Sequence, residues 1–84
     1  MYEVLLERNA EKDLRKLPKN VFKQIITKIK LLANIPRPKG TKKLMDYNNF
    51  WRIRVGSYRV IYEIIDSSEI IRIYKIKHRK DVYK

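Results

Sequence analysis

Three arginines stand within eight residues of one another in the stretch Phe50 to Glu63, FWRIRVGSYRVIYE. They flank Gly56-Ser57, and a two-residue loop with glycine first is the signal of a type II′ hairpin. That loop sets the register. Val55 faces Tyr58, Arg54 faces Arg59, Ile53 faces Val60, Arg52 faces Ile61 and Trp51 faces Tyr62. Side chains alternate between the two faces of a sheet. One face then carries Trp51, Ile53, Val55, Tyr58, Val60 and Tyr62, and reads as core. The other carries Arg52, Arg54 and Arg59, with Ile61 beside them. Like charges directly opposite each other cost stability. Arginines set together on a rigid strand pair are suited to bind an anion between them, and a phosphate of nucleic acid fits that need.

The rest of the composition supports such a ligand without choosing it. The chain has 84 residues, 21 Lys+Arg and 9 Asp+Glu, for a net charge of +12. A field of that size favours RNA, DNA or an acidic protein partner. With 44% apolar residues the chain can fold, but as one small domain with a thin core. It has no cysteine and a single histidine, which argues against disulfides, thiolate sites and a structural zinc site. No signal peptide and no membrane-spanning apolar run are legible. The expectation is a soluble, cytoplasmic protein.

The elements that must position the arginines follow from periodicity. Tyr2 to Glu7 alternates and predicts a first strand. Asn9 offers an N-cap, and Ala10, Leu14 and Leu17 recur at helical spacing. Pro18 ends that helix and can open the next at its first turn. In the second helix Val21, Phe22, Ile25, Ile26, Ile29 and Leu32 form an apolar stripe, with Lys19, Lys23, Lys28 and Lys30 on the opposite face, read as a solvated surface with an RNA or antitoxin contact as the alternative. Pro36-Arg37-Pro38-Lys39-Gly40 breaks the chain. Strands are then predicted at Leu44–Tyr47, Phe50–Val55, Tyr58–Ile65 and Glu69–Lys77. The fold class is α+β, in the order β-α-α-β-β-β-β, with a helical hairpin packed on one face of a largely antiparallel sheet. The last strand has two possible registers. A two-residue loop at Ser67-Ser68 sets Glu63 against Arg72 and Asp66 against Glu69; a three-residue loop flips the strand. Beyond it, the tail from His78 to Lys84 can fold back towards the arginines.

Taken together, these residues resemble the RelE branch of the RelE/ParE toxin superfamily. The resemblance spans residues 1–84 as a single domain. It rests on the opening strand and helical hairpin, on PRPKG at Pro36–Gly40 and KKL at Lys42–Leu44, on WRIRVGSYRVIYEI at Trp51–Ile64, and on HRKDVY at His78–Tyr83. It implies a type II toxin: a ribosome-dependent, metal-independent endoribonuclease without cofactor that cuts mRNA in the decoding site and is held inactive by a cognate antitoxin. Arg52 and Arg54 take the two basic positions before the hairpin turn. Arg59 takes the place expected to bind the scissile phosphate, Arg79 a basic position of the C-terminal element, and Tyr83 that of a tyrosine expected to stack on or help activate the nucleotide. Some relatives have lysines at the first two positions, and a lysine can serve as a base. Arginine essentially cannot. The base then falls to His78, whose ordinary pKa suits the task, or to Tyr83. Two other readings compete: a ParE-type toxin acting on DNA gyrase, and an RNA-binding module without chemistry.

Overall fold

The computed structural model of the chain describes residues 1–45 and 47–82. β1 (Glu3–Leu6) leads into α1 (Arg8–Arg15) and α2 (Lys19–Leu32), followed by β2 (Lys42–Lys43), β3 (Phe50–Val55), β4 (Tyr58–Ile65), a short 3-10 turn (Asp66–Ser68), β5 (Ile70–His78) and α3 (Arg79–Val82). The strands form one sheet in the order β1-β5-β4-β3-β2. β1 runs parallel to β5, and the other pairs are antiparallel. The expected architecture is therefore present.

The core lies between the helices and one face of the sheet. Ala10 and Leu14 of α1, and Ile25, Ile29 and Leu32 of α2, pack with Ile53, Val60, Tyr62, Ile71, Ile73 and Ile76. Each buried aliphatic side chain contributes about 1.5–3 kcal/mol. Past the end of β1, the free edge of β5 is capped by α1: the Ile76 N–H donates to the Asp13 carboxylate at 3.0 Å. This satisfies an edge amide that would otherwise be open to another chain.

The β3–β4 hairpin has the register read from the sequence, pair for pair from Trp51↔Tyr62 to Val55↔Tyr58. Gly56 sits at φ +60° with open space where a Cβ would stand. Its requirement is backbone conformation rather than room.

Four local expectations change. α1 starts two residues earlier than an Asn9 cap requires, because Glu7 is still held by β5 through its N–H to the Ile73 carbonyl. The chain turns directly from strand to helix there, and the Glu11 N–H closes the first turn on Glu7. Pro18 stands just before α2 rather than within it. Phe22 is 39% exposed, since a wide apolar stripe outruns the surface so small a domain has to cover it. The strand expected at Leu44–Tyr47 lies instead at Lys42–Lys43, paired with Arg52 and Trp51. The Leu44 N–H closes that ladder on the Phe50 carbonyl, and the loop that follows uses Asn49 in the left-handed region at φ 63°.

β5 uses two registers. Near its start Glu63 faces Arg72, as the two-residue-loop reading has it, but the connection spans residues 66–69 and puts Glu69 at φ 53°. Asp66 and Glu69 therefore leave the ladder instead of facing each other. A bulge at Ile61/Tyr62 then shifts the pairing, so that Tyr62 faces Ile73, Ile61 faces Lys75 and Arg59 faces Lys77. The sequence requires the shift. Strict alternation from Ile71 and Ile73 would bury Lys75 and Lys77; the bulge at Tyr74 sends Ile76 inward and both lysines outward.

Candidate nucleic-acid interface

The face of the sheet away from the helices is a grid of cations. Arg54 faces Arg59 across β3 and β4, and Arg59 faces Lys77 across β4 and β5. Beside this row runs a second, in which Lys42 faces Arg52, Arg52 faces Ile61 and Ile61 faces Lys75. Neighbouring strands lie about 4.8 Å apart, and same-face residues along a strand about 7 Å apart. Six cationic side chains thus share an area of a few nucleotides. Among the described residues, Arg52, Arg54, Lys75 and Lys77 form no ion pair. The opposed like charges cost about 0.2–1 kcal/mol per pair.

Two recesses open on the grid. One, of about 420 Å³, is lined by Arg54, Arg59, Arg79 and Lys80. The other, of about 470 Å³, is lined by Gly40, Lys42, Arg52, Arg54 and Arg59. Both are in the size range of ligand sites, and Arg54 and Arg59 line both. Arg59 is only 5% exposed, so it is no solvated surface arginine.

The tail folds back as the sequence allows. The Arg79 N–H donates to the Ser57 carbonyl at 2.7 Å, tying the start of α3 to the hairpin turn. Arg79 thereby joins Arg54 and Arg59 around one recess. His78 is not brought there. It pairs with Tyr58, a residue packed against the core, and its ring meets the Tyr58 ring edge-on at 5.0 Å. The imidazole belongs to the helix side of the sheet, where its Nδ1 accepts the Lys80 N–H at 3.2 Å. The physical reason is the second register of β5, which aligns His78 with Tyr58 on the core side of the sheet. Tyr83 lies outside the described residues.

Trp51 and Tyr62 are structural, as their shared apolar face suggests. Tyr62 is fully buried, and its hydroxyl donates to the Pro36 carbonyl at 2.8 Å; burial pushes its phenol above the ordinary pKa. The Arg37 guanidinium lies 4.8 Å from the centre of the Trp51 ring. Arg37 also pairs with Asp66 at 2.9 Å, and the Tyr2 hydroxyl donates to the same carboxylate. Arg37 first, then Tyr2, hold the Asp66 carboxyl below its ordinary pKa. The hydrogen bond to Asp66 in turn raises the Tyr2 phenol.

Lys77, Lys75 and Lys42 are members of the grid that the sequence reading did not single out. The signal for Lys77 and Lys75 was the alternation conflict in β5; for Lys42 it was pairing with Arg52. What the grid can do is bind phosphates and neutralise charge that develops on one. Among the described residues no group of three His, Asp or Glu side chains could hold a metal ion, and no helix is long and apolar enough to cross a membrane.

Residues 4–83 match the family described as ParE toxin of type II toxin-antitoxin system, parDE. The chain belongs to the RelE/ParE toxin family. Toxin RelE3 of Methanocaldococcus jannaschii is 33% identical to it over 85 residues, which cover 96% of this chain and 94% of that one. The RelE–RelB complex of Pyrococcus horikoshii contains a chain that superposes with a TM-score of 0.83 at 30% identity, covering 93% of this chain and 94% of its own. The isolated RelE toxin of Escherichia coli superposes at 0.82 with 25% identity, covering 99% and 92%. The two helices on a mostly antiparallel five-stranded sheet are thus the RelE arrangement.

Proposed function

We propose that this toxin is an endoribonuclease that cuts mRNA on the ribosome, using the arginines of the open sheet face. The observation that carries the reading is the meeting of Arg54, Arg59 and Arg79 around one recess, with Arg52 lining the recess beside it. In the proposed reaction the 2′-OH of a nucleotide attacks its 3′ phosphate. The O5′–phosphorus bond breaks, leaving a 2′,3′-cyclic phosphate and a free 5′-OH. Arg59 binds the scissile phosphate, while Arg52, Arg54 and Arg79 neutralise the charge that grows on its oxygens. These side chains hold phosphate but do not take the attacking proton. Of the two candidate bases, the helix-side position of His78 favours Tyr83. The ribosome supplies what the open grid lacks, an mRNA held in line for attack.

A cognate antitoxin holds the toxin inactive between uses. Relatives of this chain have been solved as RelE–RelB complexes. A net charge of +12 on 84 residues suits an acidic or amphipathic partner segment that masks the grid or lifts away α3, whose first residue is tied to the hairpin turn by the Arg79 N–H.

The family description also names ParE, which keeps the gyrase reading testable. The experiment is induction of the toxin in cells, with 5′ ends mapped on translated and untranslated copies of one mRNA. Cuts confined to the translated copy are expected. Equal cutting of both copies points to an ordinary nuclease. Absence of cuts together with inhibited gyrase supercoiling overturns the proposal in favour of the ParE-type activity.

A further inference from the structure

The open face carries more than cations. Tyr47, Phe50 and Tyr74 form an aromatic cluster, with Phe50 in the middle: its ring lies 5.8 Å from Tyr47 and 5.7 Å, edge-on, from Tyr74. With Leu44 and Ile61 they line a groove of about 340 Å³ that Lys75 and Lys77 complete. Tyr47 is 62% exposed and Tyr74 39%, and all three aromatic residues lie outside the buried core. We propose that this groove is a base-stacking site, which takes a nucleobase of the single-stranded RNA whose phosphates lie on the neighbouring cation rows.

The geometry joins groove and grid. Lys75 and Lys77 belong to both, and the Lys75 ammonium lies 5.3 Å from the Tyr74 ring centre. Phe50, Arg52 and Arg54 are successive outward residues of β3, stepping about 7 Å each. A strand with a phosphate at Arg54 can therefore lay a neighbouring base at Phe50. Aromatic side chains along a basic track are the usual means of holding single strands, because every base offers a π-face. Tyr74 stands at the β5 bulge, a device common beside functional sites. The occupant is a base rather than an antitoxin helix. A groove of this size takes one or two planar rings, whereas a helix needs a run of anchors at i, i+3, i+4 and i+7. The cationic rim also calls for phosphate nearby.

This inference rests on the RNA reading of the grid, so the test must separate the two. The probe is a short 2′-O-methyl RNA, immune to 2′-OH attack, carrying one 2-aminopurine at successive positions. The toxin is expected to quench the probe at one or two adjacent positions. Phe50→Ala combined with Tyr74→Ala should lose that quenching and weaken binding about 10- to 100-fold, with the slope of log Kd against log salt unchanged. Phe50→Trp with Tyr74→Phe should keep both, which guards against misfolding of the alanine pair. Arg54→Ala should weaken binding and lower the salt slope by about one. If Arg54→Ala weakens binding but the alanine pair does not, the groove proposal is wrong and the grid reading stands. If neither change affects RNA binding, both are wrong. If the alanine pair binds RNA normally but escapes inhibition by the antitoxin, the groove is a protein-docking site instead.

Discussion

One face of one sheet carries two kinds of arginine. At the β1 end, Arg72 sits between two carboxylates, at 3.2 Å from Glu7 and 3.4 Å from Glu63. A few residues further along β5, Lys77 faces Arg59, which faces Arg54, and Arg79 closes the group. Backbone and strand pairing are of the same kind in both places. What differs is the company each charge keeps. Arg72 serves the fold, tying β4, β5 and the start of α1 together. Arg54 and Lys77 stand in a row of cations, and among the described residues neither enters an ion pair. Such a row is suited to an anionic ligand.

Four experiments can break or sharpen that contrast. The largest effect is expected from Arg59→Ala, which should lower mRNA cleavage by about 10²–10³-fold, the usual loss when one charge-stabilising donor is removed. Mapped 5′ ends from induced cells measure it, with circular dichroism to show that the variant is folded. Full activity in a folded Arg59→Ala protein would remove the grid from the chemistry.

Next comes Lys77→Glu, which places an acid in the cationic row. It should lower cleavage by less than Arg59→Ala does and raise stability by about 0.2–1 kcal/mol, because a repulsive cross-strand pair becomes attractive. Denaturant melts beside cleavage assays read both signs. A variant that loses stability as well as activity would mean the row is not under charge strain.

Arg72→Ala should do the reverse. Cleavage stays at the wild-type level, while stability falls by up to about 1 kcal/mol for each partly exposed ion pair lost. If cleavage drops at unchanged stability, the division between a structural and a functional arginine fails.

The smallest effect concerns the Arg37–Asp66–Tyr2 cluster. The folded pKa of Asp66 is depressed below 3.8 by Arg37 and Tyr2. Its contribution is therefore present above the unfolded value and fades as pH falls through the folded one. Melting temperatures of the wild type and of Asp66→Asn should differ slightly at neutral pH and converge once the pH has fallen below the depressed folded pKa, in a thermal series across pH. Parallel curves would show that the carboxylate charge contributes nothing there.

Much of this was determined by the sequence alone. The Gly56-Ser57 loop and the alternation on either side decide the hairpin register, because a side-chain period of two leaves only one arrangement that buries Ile53, Val60 and Tyr62. The opposition of Arg54 and Arg59 is a local consequence of that register. So is the structural role of Trp51 and Tyr62, and the helical stripe of α2 was legible on the same principle of periodicity. Everything that depended on strands distant in sequence was decided by tertiary structure. β5 must satisfy β1 on one edge, β4 on the other and α1 beyond β1. It does so by changing register at Tyr74, which no local turn signal records. That one bulge sets Lys77 beside Arg59, moves His78 to the helix side with Tyr58, and brings Lys75 to the open face beside Tyr74. The position of β2 was equally non-local, since a two-residue strand is defined by its partner rather than by its own pattern. The charges of the site were written in the sequence. Which of them meet was settled by how the last strand reconciles burying its isoleucines with keeping its lysines in water.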